Sequence, residues 1–422
     1  MSQLSQLAET LIGSEIVRLG NEIAVRINRG EKIYNYTIGD FDPQIFPIPQ
    51  ELEDAIVDAY RNKLTNYPPG DGVLELRQAV AAFIKDREGI EYAPNEIQIA
   101  AGGRPLIYSL FRTVVNPGDK VIYAVPSWNN NHYTHMNGGV HCVIETTPEN
   151  DFMPTAADIA PHLEGAALLC LCTPQNPTGT TLAKAELEKI CDMVLQENRM
   201  RGDGKKLYVM FDQMYFTLTY GETEHYNPVT LRPEMKDFTI FVDGISKAFS
   251  ATGVRVGWSL GPANVIAKMK ALLSHIGAWA PMAEQKATAQ YLLQKDAITT
   301  YLASFKGELE DRLWAIYNGI KALKERGYPV DAIAPQAAIY LTIKIDMAGK
   351  DAGGKMLATQ ADVTEYLLNE AKLAIVPFYA FGANNKSPWY RLSIGACRKE
   401  EIAEMLSMLE GALQKLTVPS RA

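Results

Sequence analysis

Lys247 stands where amine chemistry can be run. It lies in Asp243-Gly244-Ile245-Ser246-Lys247-Ala248-Phe249-Ser250-Ala251-Thr252-Gly253-Val254-Arg255-Val256-Gly257-Trp258, just after the apolar run 238–242. Its neighbours are small, which leaves room for a planar ligand. A lysine that is partly dehydrated loses proton affinity and becomes a Schiff-base nucleophile. Arg255 follows eight positions later, flanked by Gly253 and Gly257. A guanidinium fork matches phosphate oxygens well. A lysine nucleophile beside a phosphate site suggests pyridoxal 5'-phosphate (PLP). A surface lysine in a glycine-rich turn has the same local composition.

Five other segments set polar side chains just past, or inside, apolar runs. Ile99-Ala100-Ala101-Gly102-Gly103-Arg104-Pro105 reads as a strand entering a helix through two glycines. Backbone N–H groups at such a helix start form an anion site, although a plain tight turn looks alike. Val125-Pro126-Ser127-Trp128-Asn129-Asn130 puts Trp128 on a loop, where its face can stack on a flat ring or simply pack half-buried. Leu171-Cys172-Thr173-Pro174-Gln175-Asn176-Pro177-Thr178-Gly179-Thr180 holds Asn176 between two prolines. Its amide can donate to a phenolic oxygen. Met210-Phe211-Asp212-Gln213-Met214-Tyr215 places Asp212 directly after an apolar strand, where a carboxylate needs a partner. A pyridinium nitrogen would serve, and so would a helix start capped by Asp212. Tyr215 could reach the oxygen of the same ring. Trp389-Tyr390-Arg391-Leu392-Ser393-Ile394-Gly395 embeds an arginine in an apolar run. A substrate carboxylate, held in two parallel bonds, would satisfy Arg391.

These positions need a scaffold that presents strand ends. Apolar runs at 96–101, 120–123, 139–145, 167–172, 207–211, 238–242 and 256–260 alternate with helix-period stretches. Among the latter is Lys184–Met200, with Leu187, Ile190, Cys191, Val194 and Leu195 at helical spacing. Strand–helix alternation implies an α/β sheet, mostly parallel and covered on both faces. Ligands in such sheets bind beyond the carboxyl ends of the strands. From about residue 300 the texture changes. One long helix is expected over 298–326, then a smaller α+β region over 328–418, ending in an amphipathic helix over 399–416. The stretches Gly349–Gly354 and Met200–Gly204 read as mobile loops.

The totals exclude several classes. The 422 residues are 47% hydrophobic and 21% charged with a net charge of −8, which gives no basic surface for nucleic acid or anionic membrane. No apolar run is long enough for a membrane span, and the amphipathic N-terminal segment has no signal-peptide core. The five cysteines form no C-x-x-C pair, so neither zinc nor a disulfide framework is expected, and a reducing cytoplasm is the default. Cys170 and Cys172 share a strand face and read as plain buried thiols.

Taken in order, Asn176-Pro177-Thr178-Gly179, Asp212 with Tyr215, Ser246-Lys247, Arg255 and Arg391 resemble the signature of class I/II aminotransferases. This is the PLP-dependent fold-type-I family that includes aspartate aminotransferase. Thr37-Ile38-Gly39-Asp40-Phe41 resembles the strip over the substrate. Asn66-Tyr67-Pro68-Pro69-Gly70-Asp71-Gly72, before Leu76-Arg77, resembles the family's Tyr…Gly…Leu-Arg signature. The resemblance implies a mostly parallel seven-stranded sheet in a large domain, 46–300, and a small α+β domain built from 1–45 and 301–422. It implies Lys247 as Schiff-base and proton-transfer residue, Asp212 on the pyridinium nitrogen, and Asn176 and Tyr215 on the ring oxygen. It implies Trp128 stacked on the ring, with the Gly103 and Arg104 amides, Ser246 and Arg255 on the phosphate. Tyr67 would reach the cofactor of a second subunit in a homodimer. Arg391, helped by the Gly39 backbone, would hold the substrate carboxylate. The expected reaction is a ping-pong transfer of an amino group between an L-amino acid and a 2-oxo acid, with 2-oxoglutarate the expected acceptor and aspartate or an aromatic or neutral amino acid the donor.

There are departures. Gly244 stands where many members carry a phosphate-binding serine, with Thr252 or the 102–104 turn as possible compensation. No arginine stands near His275, where the dicarboxylate-specific branch places one. Arg112 and the cluster 129–132 are candidate substitutes, or ordinary surface polars. The same residues also serve C–S lyases and aminocyclopropane carboxylate synthases. A third reading, an aminotransferase-like regulator, needs an added DNA-binding module, and only about 30 residues precede the catalytic segments.

Overall fold

The computed structural model describes residues 3–13 and 15–417. Residues 1, 2, 14 and 418–422, which belong to the expected small-domain segments, lie outside the described residues. A short strand β1 (Tyr34–Asn35) comes first. Then follow β2 (Ile97–Ala100), β3 (Lys120–Val125), β4 (Val140–Glu145), β5 (Ala166–Cys172), β6 (Tyr208–Asp212), β7 (Thr239–Gly244) and β8 (Gly257–Leu260). They form one seven-stranded sheet in the order β2-β8-β7-β6-β5-β3-β4. Only β8 runs antiparallel to its neighbours, β7 and β2. All seven expected strands are present, each end within about two residues of its expected place.

The inner strands read as continuous apolar runs because both faces are covered, whereas the edge strand β4 is largely exposed. Along β5, Leu169 and Leu171 enter one core cluster, while Leu168 and Cys170 enter the other. The first cluster is completed by helices Leu74–Glu88 and Lys184–Met200, the second by helices Gly103–Val114 and Ala263–Ile276. Each fully buried aliphatic or aromatic side chain contributes about 1.5–3 kcal/mol. The sheet is therefore a stiff platform for whatever follows its strand ends.

Helix Lys295–Glu325 leads to the second sheet. Its neighbourhood contains β9 (Val330–Ala332), β10 (Tyr340–Ile345), β11 (Lys350–Ala352), β12 (Lys355–Leu357), β13 (Leu373–Ala374), β14 (Val376–Pro377) and β15 (Trp389–Ser393). Four of these form an antiparallel sheet in the order β14-β15-β10-β9. β1 pairs in parallel with β13, tying the N-terminal strip to the C-terminal region.

Two expectations change here. The stretch 349–354 is not a plain loop. β11 pairs with β12 through a turn at Gly353 and Gly354, both at positive φ, and with β16 (Leu416–Thr417). The C-terminal helix is also shorter than 399–416. A 3₁₀ turn, Lys399–Glu401, precedes helix Ile402–Leu413, and Leu416 leaves the helix to pair with Ala352. Among the described residues no helix is long and apolar enough to cross a membrane.

Candidate active site

A cavity of about 400 Å³ opens where β5, β6 and β7 end. Its wall holds Gly39, Gly103, Arg104, Trp128, Asn176, Asp212, Tyr215, Ser246, Lys247, Arg255 and Arg391, eleven of the twelve residues singled out from the sequence. The twelfth, Tyr67, is 81% exposed and lies outside it, edge-on to Trp279 at 5.2 Å.

Lys247 sits in the short helix Ile245–Ala248 that follows β7. Its Nζ donates to the Gly39 carbonyl at 2.5 Å and faces the ring of Phe41 at 5.4 Å. Burial pulls its pKa down to about 8; Asp40 opposes this, and Arg391, Arg255 and Arg104 reinforce it. A substantial neutral fraction near neutrality is what a nucleophile or base needs.

Asp212 ends β6. Its carboxylate accepts one hydrogen bond, from the Met214 N–H at 3.1 Å, and pairs with no cation among the described residues. Burial pushes its pKa up to about 6. Asn176 is held by a loop pinned at several points. Gln175 donates to the Pro126 carbonyl at 2.7 Å, and Thr342 on β10 donates to the Thr178 carbonyl at 2.7 Å. Asn176 Oδ1 accepts from Arg391 Nη1 at 3.0 Å, which leaves the amide N–H groups as free donors. Tyr215 is buried, with its hydroxyl 2.6 Å from that of Tyr340.

Arg391 lies on β15 and is 1% exposed. Nη2 donates to the Thr37 carbonyl at 2.5 Å, Nε has no partner, and no acid faces it among the described residues. Its guanidinium lies 4.8 Å from the ring centres of both Tyr340 and Phe381. Such a charge costs several kcal/mol of desolvation unless an anion joins it.

The remaining wall forms an anion cradle. Helix Gly103–Val114 starts at Gly102, whose φ of 84° belongs to the left-handed region. A Cβ at Gly102 would stand 2.3 Å from Arg255 Nη2, so only glycine admits this arginine. Arg255 itself adopts φ 63° and is braced by the carbonyls of Thr252 (2.7 Å) and Ala101 (2.9 Å). Backbone strain of this kind concentrates at functional sites.

Gly244 has no room for the hydroxyl it lacks. A Cβ there would meet Gly257 Cα and the Val256 carbonyl, both at 2.8 Å, so the close approach of β8 forbids a side chain. Thr252 lines the cavity, but its hydroxyl donates to Asp40 Oδ1 at 2.6 Å. His275 is exposed in the last turn of helix Ala263–Ile276, and Arg112 bonds Asn137; neither lines the cavity, nor do residues 129–132.

Two wall features escaped the sequence. Arg104 was singled out for its amide, yet its side chain reaches the cavity and lies 5.2 Å over the Trp128 ring. Tyr340 sits in the apolar run of β10, a pattern that marks core and gives no sign of a hydroxyl in a site. Ile16 and Val17 of helix Glu15–Asn28 also border the cavity.

The donor set fits PLP. A helix start with Arg255 suits the phosphate, a carboxylate without a cation suits a pyridinium, and free amide donors suit a ring oxygen. Fold and wall together define an α/β enzyme that acts on a small anionic substrate beside a lysine. The class I and II aminotransferase family model matches residues 33–409. An aspartate aminotransferase of Bacillus sp. (strain YM-2) is 31% identical over 341 residues, 80% of this chain and 82% of its own. A probable aspartate/prephenate aminotransferase of Rhizobium leguminosarum bv. phaseoli is 28% identical over 387 residues, 89% of this chain and 90% of its own. The crystal structure of the aspartate aminotransferase from Rhizobium meliloti matches with a TM-score of 0.90 at 25% identity, covering 99% of this chain and 100% of that one. The chain belongs to the class I and II aminotransferases, and is a PLP-dependent transaminase acting on amino acids and 2-oxo acids.

Proposed function

We propose that the enzyme takes its amino group from a dicarboxylic L-amino acid, aspartate foremost, and passes it to a 2-oxo acid such as 2-oxoglutarate. The observation that carries this reading is Arg104. Its guanidinium joins those of Arg391 and Arg255 in the cavity wall and has no carboxylate partner among the described residues. Arg391 suits the α-carboxylate and Arg255 a phosphate, which leaves Arg104 for a distal carboxylate. The relatives named aspartate aminotransferases support the same donor.

When bound, PLP supplies an electron sink for the substrate's Cα–H bond. The chain's residues do the rest. The Gly103 and Arg104 amides, the Ser246 hydroxyl and Arg255 would hold the phosphate. Asp212 would keep the ring nitrogen protonated, Asn176 and Tyr215 would donate to the ring oxygen, and Trp128 would pack against the ring. Arg391, with the Gly39 backbone, fixes the α-carboxylate and so the direction of the Cα–H bond. Lys247 Nζ, drawn toward neutrality, accepts the α-proton and gives it back. Each half-reaction releases its product before the next substrate binds.

The pairing of β1 with β13 supports a division into a large domain, 46–300, and a small one from 1–45 and 301–422. Five free cysteines support a cytoplasmic location. The exposed Tyr67 supports a homodimer in which it serves the neighbouring cofactor.

Single half-reactions without an acceptor test the donor. Aspartate is expected to react with a higher kcat/KM than alanine or phenylalanine. Arg104→Met should lower the aspartate value by about ten- to a hundredfold, the worth of a charged hydrogen bond, and spare the neutral donors. An equal loss for all donors would remove Arg104 from substrate recognition. Pyruvate, ammonia and sulfide formed in equal amounts from cysteine without an acceptor would instead mark a C–S lyase.

A further inference from the structure

Tyr340 enters the cavity from β10 with both its ring and its hydroxyl engaged. The hydroxyl lies 2.6 Å from that of Tyr215, and the two rings meet edge to face at 5.5 Å. The ring carries the Arg391 guanidinium at 4.8 Å. Gly39 makes room, since a Cβ there would stand 2.8 Å from the Tyr340 oxygen. One side chain thus touches the residue proposed for the ring oxygen and the residue proposed for the substrate carboxylate.

We propose that Tyr340 is a positioning residue: its hydroxyl donates to Tyr215, freeing the Tyr215 proton for the cofactor's ring oxygen, while its ring seats Arg391. This rests on the roles given above to Tyr215 and Arg391. Each phenol has one proton, so in a contact this short only one of the two donates. If Tyr215 donated, it would turn lone pairs toward an electron-rich ring oxygen. The cation over the Tyr340 ring favours the opposite direction, because it makes that O–H the better donor. Burial raises Tyr215 well above the usual phenol range, while Arg391, followed by the Tyr215 contact, restrains the rise at Tyr340. The other charged or titratable groups acting on Tyr340 are Cys172 at the end of β5 and Asp40 on the N-terminal strip.

The test is the pH titration of the bound cofactor's visible absorbance. Tyr340→Phe keeps the ring under Arg391 and removes one oxygen. The titration midpoint is expected to rise by about half to one pH unit, the effect of weakening one hydrogen bond, while KM for the amino donor stays within about twofold. Tyr340→Leu also removes the ring and should raise KM as well. In a Tyr215→Phe background, adding Tyr340→Phe should move the midpoint no further. An unchanged midpoint in PLP-loaded Tyr340→Phe, or a full shift persisting without the Tyr215 hydroxyl, overturns the proposal. Wild-type protein without the absorbance would instead overturn the reading of Lys247.

Discussion

Burial moves two ionisable groups of the cavity toward each other on the pH axis. Lys247 falls to about 8 and Asp212 rises to about 6. For Lys247 this is activation, because a drier ammonium parts with its proton more readily. For Asp212 it is a cost that a cationic ring would offset. The sign has a consequence for the protein without cofactor. The folded pKa of Asp212 lies above its ordinary 3.8, so its protonation stabilises the fold. That contribution is complete below pH 3.8 and is lost as pH rises through about 6. Asp212→Asn keeps the shape and removes the titration. Thermal unfolding of the cofactor-free proteins should show the variant gaining on wild type between pH 4 and 7 and melting higher at pH 7. Parallel melting curves across that window would show that the Asp212 carboxylate is solvated. The variant should also lose transaminase activity, since an amide does not keep the ring nitrogen protonated.

At the scale of elements, what was legible followed the strength of the pattern. Buried strands announce themselves as apolar runs, so β2 to β8 appear where expected, and Lys184–Met200 is a helix over the same residues. The site was legible because prolines and glycines mark the segments that carry Asn176 and Lys247, and because Asp212 closes an apolar strand. Side-chain direction was less so. Arg104 stands at a helix start, where the backbone suggested an anion site, and nothing in its neighbours told that its guanidinium turns to Trp128. Tyr340 was hidden by its strand, since an alternation of apolar residues assigns tyrosine to the core. The hairpin of β11 and β12 was hidden by its length: three-residue strands show no period. That Gly244 has no room for a side chain was hidden too, because sequence does not report how closely β8 passes.

At the scale of the whole molecule, an exposed aromatic group asks for a partner. Tyr67 and Tyr60 share a cleft with Trp279 and Pro281, and Tyr60 is 49% exposed. Exposed apolar clefts of this kind mark interfaces. Light scattering is expected to give twice the mass of one chain. Tyr67→Phe should weaken PLP binding although Tyr67 is absent from its own chain's cavity; a fully active monomer would rule out a shared site. The chemistry of the cavity depends on one lysine. Holoenzyme reduced with borohydride, digested and mapped by mass spectrometry should carry the pyridoxyl phosphate group on the peptide containing Lys247, and Lys247→Ala should be colourless, with turnover down by at least about a hundredfold. The group on another lysine, or a Lys247→Ala protein that turns over at the wild-type rate, would contradict it.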